Sequence, residues 1–202
     1  MDYGRLTEAY AAMEQTRSRL EIATLLAELF RATPPEELAA VAHLCLGKLG
    51  PAYDSREVGL SDKSLLRTLA LASGAPLEEL QAAYAGAGDI GLVAEQALAG
   101  KAQQPLFGAP LTVGRVWERL HALSLETGTG SQERKFRALA ELLHDGTPQD
   151  ARYICRTAVG KLRLGFSQML LVDGLAEAFG SREERGMVEA AYNRHPDIGW
   201  LA

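Results

Sequence analysis

Gly128-Thr129-Gly130-Ser131-Gln132-Glu133-Arg134-Lys135 lies between two helical runs. After it, Phe136, Leu139, Ala140 and Leu143 recur at the spacing of one helical face. The two glycines therefore stand just before a helix N-terminus, with Ser131 or Thr129 as the expected N-cap. Glycines at such a point let backbone N–H groups turn outward and come close to a ligand. The helix N-terminus adds unpaired donors and a partial positive charge. Arg134 and Lys135 add full charges in the first turn, where they oppose the helix dipole. That combination suits an anionic backbone such as nucleic-acid phosphate. The competing reading is a solvated turn with two surface cations.

Outward from this point the chain reads as helices joined by short Gly/Pro turns, without alternating strand patterns, so the expected fold class is all-α. Ser18 with Glu21 forms a capping-box pattern ahead of Leu26, Leu29 and Phe30. Thr33-Pro34-Pro35 stops that helix and starts the next.

The pattern then repeats. Ser18 matches Ser131 and Gly47-Lys48-Leu49 matches Gly160-Lys161-Leu162, both 113 residues on. Thr33-Pro34 matches Thr147-Pro148, and Gly59-Leu60-Ser61 matches Gly165-Phe166-Ser167. Ala82-Ala83-Tyr84 and Asp89-Ile90-Gly91 match Ala190-Ala191-Tyr192 and Asp197-Ile198-Gly199, 108 residues on. Generic helical patterning does not place these tripeptides in the same order twice. The expectation is one globular helical domain over 1–202, built from a first copy (1–100), a linker (101–110) and a second copy (111–202). The copies are expected to be related by a pseudo-two-fold axis, which would offer equivalent loops to duplex phosphates on either side of a centre.

The chain has 202 residues and a net charge of −5, which argues against indiscriminate nucleic-acid binding but not against a local basic face. Residues 128–165 hold seven Lys/Arg against four Asp/Glu, a local net of +3. Cys45 and Cys155 sit in apolar helical patterns with no Cys/His cluster, and are read as buried free thiols of a reducing compartment. No 18-residue apolar run and no signal-peptide pattern is present. The expectation is a cytoplasmic protein with no membrane partner.

Each copy ends a helix at Gly-Lys-Leu and then makes a Gly-x-Ser turn into another helix. In the first copy these residues are Lys48, Gly59 and Ser61, with Lys63 nearby; in the second they are Lys161, Arg163, Gly165 and Ser167. Ser61 and Ser167 read as N-caps, which alone explains Gly-x-Ser; the duplicated set beside cations repeats the anion-site logic of the opening stretch. Gly88 and Gly91 belong to a glycine-rich turn in the first copy. Arg152, Arg156 and Arg163 fall on one helical stripe, which at Arg152 reads equally well as a solvated charged face. No Ser/His/Asp triad, Cys/His arrangement or paired-carboxylate site stands out.

Leu46 to Tyr53, Glu57 to Leu60, Gly88 to Glu95, Gly128 to Lys135, Asp150 to Ile154 and Gly160 to Gly165 together carry a resemblance. Over nearly its whole length the chain resembles the N-terminal DNA-binding domain of ATP-dependent DNA ligases of the archaeal and eukaryotic type. The resemblance implies an all-helical domain that grips the minor groove on both sides of a nick in replication and repair. It places the DNA contact of the family at Thr127 to Phe136, here Gly128, Thr129, Gly130, Ser131, Gln132, Arg134 and Lys135. It also implies that adenylyltransferase and OB-fold domains follow, and that the parent ligase uses ATP and magnesium. The ligase nucleophile is a lysine in Lys-x-Asp-Gly, and none of Lys48, Lys63, Lys101, Lys135 and Lys161 stands in that motif. The chain is therefore read as part of a longer protein, holding no cofactor and non-catalytic by itself. The alternative is a helical-repeat adaptor that binds another protein.

Overall fold

Hydroxyl side chains start four of the helices by capping their first free N–H groups. Ser18 Oγ accepts from Glu21 N–H and Ser61 Oγ from Ser64 N–H. Thr112 accepts from Arg115, and Thr147 forms a full capping box with Asp150. At Ser18 only half of the expected box forms, because the Glu21 carboxylate accepts from the Thr16 hydroxyl instead, at 2.5 Å. The computed structural model describes residues 1–202 except Ala52, Ser55, 100–109, Phe166 and Arg182. The expected linker at 101–110, apart from Pro110, and the centre of the second Gly-x-Ser turn therefore lie outside the described residues.

The described residues form twelve α-helices and no named strand. Six belong to the first copy: α1 (Tyr3–Glu14), α2 (Arg19–Ala32), α3 (Leu38–Cys45), α4 (Asp62–Ser73), α5 (Leu77–Ala87) and α6 (Ile90–Ala99). Six belong to the second: α7 (Val113–Leu125), α8 (Ser131–Asp145), α9 (Pro148–Ala158), α10 (Gln168–Phe179), α11 (Arg185–Arg194) and α12 (Ile198–Leu201). Each expected copy holds six α-helices, with a 3-10 turn (Pro35–Glu37) in the first alone among the described residues, and the all-α class is confirmed.

Packing cuts across the copies. One compact unit comprises Met1, Arg5–Arg56 and Leu162–Ala202; the other comprises Asp2–Gly4 and Glu57–Lys161. Each copy thus gives its first three helices to one unit and its last three to the other. In the first unit α2 packs on α10 and α3 on α12. In the second, the corresponding helices with copies exchanged make the same pairs: α8 packs on α4 and α9 on α6. The packing boundaries fall inside each copy, near residues 56 and 161, rather than at the segment that joins the copies.

Close helix pairs explain several small residues. A Cβ on Gly174 of α10 would stand 2.7 Å from Leu26 Cβ of α2. Cys45 and Cys155 are buried free thiols. No helix among the described residues is long and apolar enough to cross a membrane.

Candidate nucleic-acid interface

The stretch that opens α8 is built differently from the other capped helices. Gly130, not Ser131 or Thr129, is the N-cap, with a left-handed φ of 77° and no side-chain hydrogen bond. Ser131 is instead the first residue of the helix. Gly128 is also left-handed at φ 81°, with open space where a Cβ would stand. Thr129, Gly130 and Gln132 are exposed. A glycine cap supplies no side-chain acceptor; the Ser131 N–H donates to the Gly128 carbonyl at 3.2 Å, and the Gln132 and Glu133 N–H groups are left without a side-chain cap.

Arg134 does not project from this loop. Its Nε donates to Glu126 Oε2 at 2.8 Å, Nη1 to the Thr129 carbonyl at 3.0 Å and Nη2 to the Thr127 carbonyl at 3.2 Å. It braces the turn that the glycines bend. Lys135 departs further from expectation. It is only 7% exposed, and its Nζ donates to the Val58 carbonyl at 2.7 Å. The helix face that carries Leu139 and Leu142 inward turns Lys135 inward as well, so its charge lies inside the unit and not on the surface.

Through Lys135 the start of α8 meets the Gly59-Leu60-Ser61 turn. Gly59 is exposed with φ 70°, and its missing Cβ would stand 3.8 Å from Lys135 Nζ. Ser61 caps α4 as expected, and Lys63 is exposed in the first turn of that helix. Lys161 reaches the same helix start, pairing with Asp62 at 2.9 Å. The second unit therefore gathers the α8 loop, the Gly59 turn and Lys161.

The first unit holds the exchanged counterpart. Gly165 is exposed with φ 73°, and Ser167 sits at the N-cap of α10 without a side-chain bond to it. A groove of about 360 Å³ joins these residues to Thr16, Arg17, Arg19 and Ile22 at the start of α2. Arg17 and Arg19 are exposed and form no ion pair among the described residues. Their place against Gly165 is visible only in three dimensions. Lys48 is also exposed in this unit.

Gly91, Gly88 and the three arginines have structural settings of their own. Gly91 is a buried glycine of α6, where a Cβ would come 2.7 Å from the Arg152 carbonyl and 2.8 Å from Arg156 Cγ. It admits the close approach of α6 to α9. Gly88 is the left-handed C-cap of α5. The arginine stripe does not form, because α9 ends at Ala158 and Arg163 lies beyond it in a left-handed conformation, φ 62°. Arg156 is buried and grips Asp89 with two bonds, of 3.2 and 2.6 Å. Arg152 pairs with Glu95 at 3.1 Å.

A family model described as DNA ligase N terminus matches residues 2–176. The chain is 42% identical over 210 residues to DNA ligase 2 of Thermofilum pendens and 41% identical over 203 residues to DNA ligase 2 of Korarchaeum cryptofilum. It is 36% identical over 203 residues to the DNA ligase of Nitrosopumilus maritimus. Each alignment covers 100% of this chain but only 35%, 34% and 34% of the relative. The chain spans about a third of the length of the curated relatives it matches.

Proposed function

This chain belongs to the DNA ligase N-terminus family, and on that premise we propose that it holds duplex DNA by its phosphate backbone, across the minor groove to either side of a nick. The observation that carries the reading is the start of α8. Two left-handed glycines and a first turn without a side-chain cap offer the Gln132 and Glu133 N–H groups to an anion that would complete the helix. A left-handed glycine also precedes α10, where Ser167 makes no side-chain cap bond, and α4, where Ser61 caps the Ser64 N–H. Gly128, Thr129, Gly130, Ser131 and Gln132 are the contacts proposed in the second unit, with Lys63 and Lys161 as cations beside them. Lys48, Arg163, Gly165 and Ser167, joined by Arg17 and Arg19, are those proposed in the first.

Backbone donors read no bases, so the binding expected is indifferent to sequence. In a full-length ligase the adenylyl transfer, with its ATP and magnesium, falls to an adenylyltransferase domain and an OB-fold domain outside these residues. This part positions the nick for them. The test is fluorescence anisotropy of this chain with nicked and intact duplexes of several sequences over a salt series. The expected result is binding that weakens with a log–log slope near −0.9 per phosphate neutralised. Affinity that is flat across the series, or that tracks base sequence, overturns the proposal.

A further inference from the structure

The two copies place different residues at one equivalent position. Lys135 of the second copy aligns with Ile22 of the first, 113 residues earlier, the offset that also relates Gly160 to Gly47. Ile22 is buried and lines a groove with Leu164 and Gly165. Lys135 is buried against the matching residues of the other unit, Val58 and Gly59. The fold therefore accepts a plain apolar side chain at this position. Burying an ammonium costs desolvation that an apolar residue avoids, and one neutral carbonyl repays only part of it. The lysine is not explained by packing alone.

What it adds is a fixed link. The Nζ–Val58 bond spans 77 residues and ties the start of α8 to the peptide that precedes Gly59. Gly59 is left-handed and exposed, and a glycine turn resists displacement only as far as its neighbours hold it. Resting on the phosphate-binding reading above, we propose that Lys135 is a positioning residue. It locks the Gly59-Leu60-Ser61 turn against the start of α8, so that the donors of both face one phosphate run, and it touches no phosphate itself.

The informative variant is Lys135→Ile, which installs the residue that the first copy already uses, with Lys135→Met as the unbranched second choice. Anisotropy with nicked duplex over a salt series, together with thermal melting, gives three separable readouts. The expected result is affinity lower by about tenfold, the scale of one lost contact to a charged group, with the melting temperature nearly kept. The log–log slope should also stay as in the parent chain, because backbone N–H groups that slip from a phosphate remove no cation from it. A slope that falls by about 0.9 identifies Lys135 as a direct phosphate ligand and overturns the positioning role. Unchanged affinity in both variants overturns it too. Gly59→Ala displaces the same turn from within, so its effect should not add to that of Lys135→Ile; full additivity would show that the lysine does not act through the turn. If the unsubstituted chain binds no duplex at low salt, the phosphate-binding reading itself falls, and this role with it.

Discussion

Asp197 Oδ1 lies 3.2 Å from His43 Nε2, so an acid of the second copy faces a base of the first. The mirror relation joins Asp89 of the first copy to Arg156 of the second. His43 and Arg156 stand at the repeat offset of 113, and Asp89 and Asp197 at 108. Both aspartates also accept the N–H two residues on, from Gly91 and Gly199. One duplicated Asp-Ile-Gly therefore caps a helix and clasps a helix of the other copy, once in each unit.

The Asp89–Arg156 clasp is the more deeply buried, with side chains 7% and 5% exposed against 17% for Asp197. Arg156→Met removes both bonds and leaves the carboxylate without its charge partner. Breaking a buried pair from one side costs about 3–5 kcal/mol. Urea unfolding should register that loss, and His43→Met should cost less. Equal losses would show that burial does not set the energy of these clasps.

Gly91 and Gly86 should respond to alanine with opposite signs. Gly86 lies in exposed α5 with open space at its Cβ position, so Gly86→Ala removes backbone entropy from the unfolded chain and should stabilise by about 0.5–1 kcal/mol. Gly91→Ala gains the same entropy but drives a Cβ to 2.7 Å from the Arg152 carbonyl, a backbone atom of α9 that cannot step aside. Overpacking of this kind costs about 1–3 kcal/mol and should win. Paired thermal melts decide it; stabilisation by both substitutions would contradict the tight α6–α9 contact.

The helices and their order were legible because apolar periodicity and hydroxyl caps act over a few residues. Ser18 and Ser61 cap helices where the local pattern places them. Gly88 and Gly91 show the limit. They sit three residues apart in one glycine-rich stretch, yet one ends α5 and the other admits α9. Only the tertiary partner separates those uses. Lys135 misled for the same reason: a lysine in a first helical turn reads as exposed until the neighbour at Val58 is known. The exchange of half-copies between units was likewise hidden, since a repeat in sequence carries no statement of which halves pack together.

Burial pushes both thiols up from the usual 9.0 to about 12, with the Tyr10 hydrogen bond opposing it at Cys45. Neither thiol should react with a disulfide reagent at pH 8 unless the chain unfolds. The stability consequence has a definite sign. An unfolded thiol loses its proton near pH 9 while the folded one keeps it. The contribution is therefore complete below pH 9 and declines as pH rises toward 12, by about 1.4 kcal/mol per unit for each thiol. Urea midpoints at pH 8 and 10 should differ in that direction. Rapid labelling of the native chain at pH 8 would contradict the burial of both residues.

The start of α2 should contribute more salt-dependent affinity than Arg134 and Lys135 do. By residue count the second copy is the more cationic here, with two cations after its glycines where the first has Leu20-Glu21-Ile22. Their side-chain partners argue for the opposite order. Arg134 is engaged by Glu126 and two carbonyls, and Lys135 by Val58. Arg17 and Arg19 are exposed, unpaired among the described residues, and set around the groove that Gly165 and Ser167 enter. A cation already bonded to its own chain releases few counterions from DNA; an unengaged one releases its full share. Replacing Arg17 and Arg19 together by alanine should flatten the log–log slope by about 0.9 per residue and leave thermal stability nearly unchanged. Each lost contact should cost on the order of 1 kcal/mol of affinity. Arg134→Ala should behave in the opposite manner, lowering the melting temperature as the loop loses its brace, with a small change in slope. Anisotropy at four salt concentrations and one melting curve per variant separate the two patterns. If the Arg17/Arg19 variant keeps the parental slope, these arginines do not face phosphate, and the contacts of the first unit lie elsewhere.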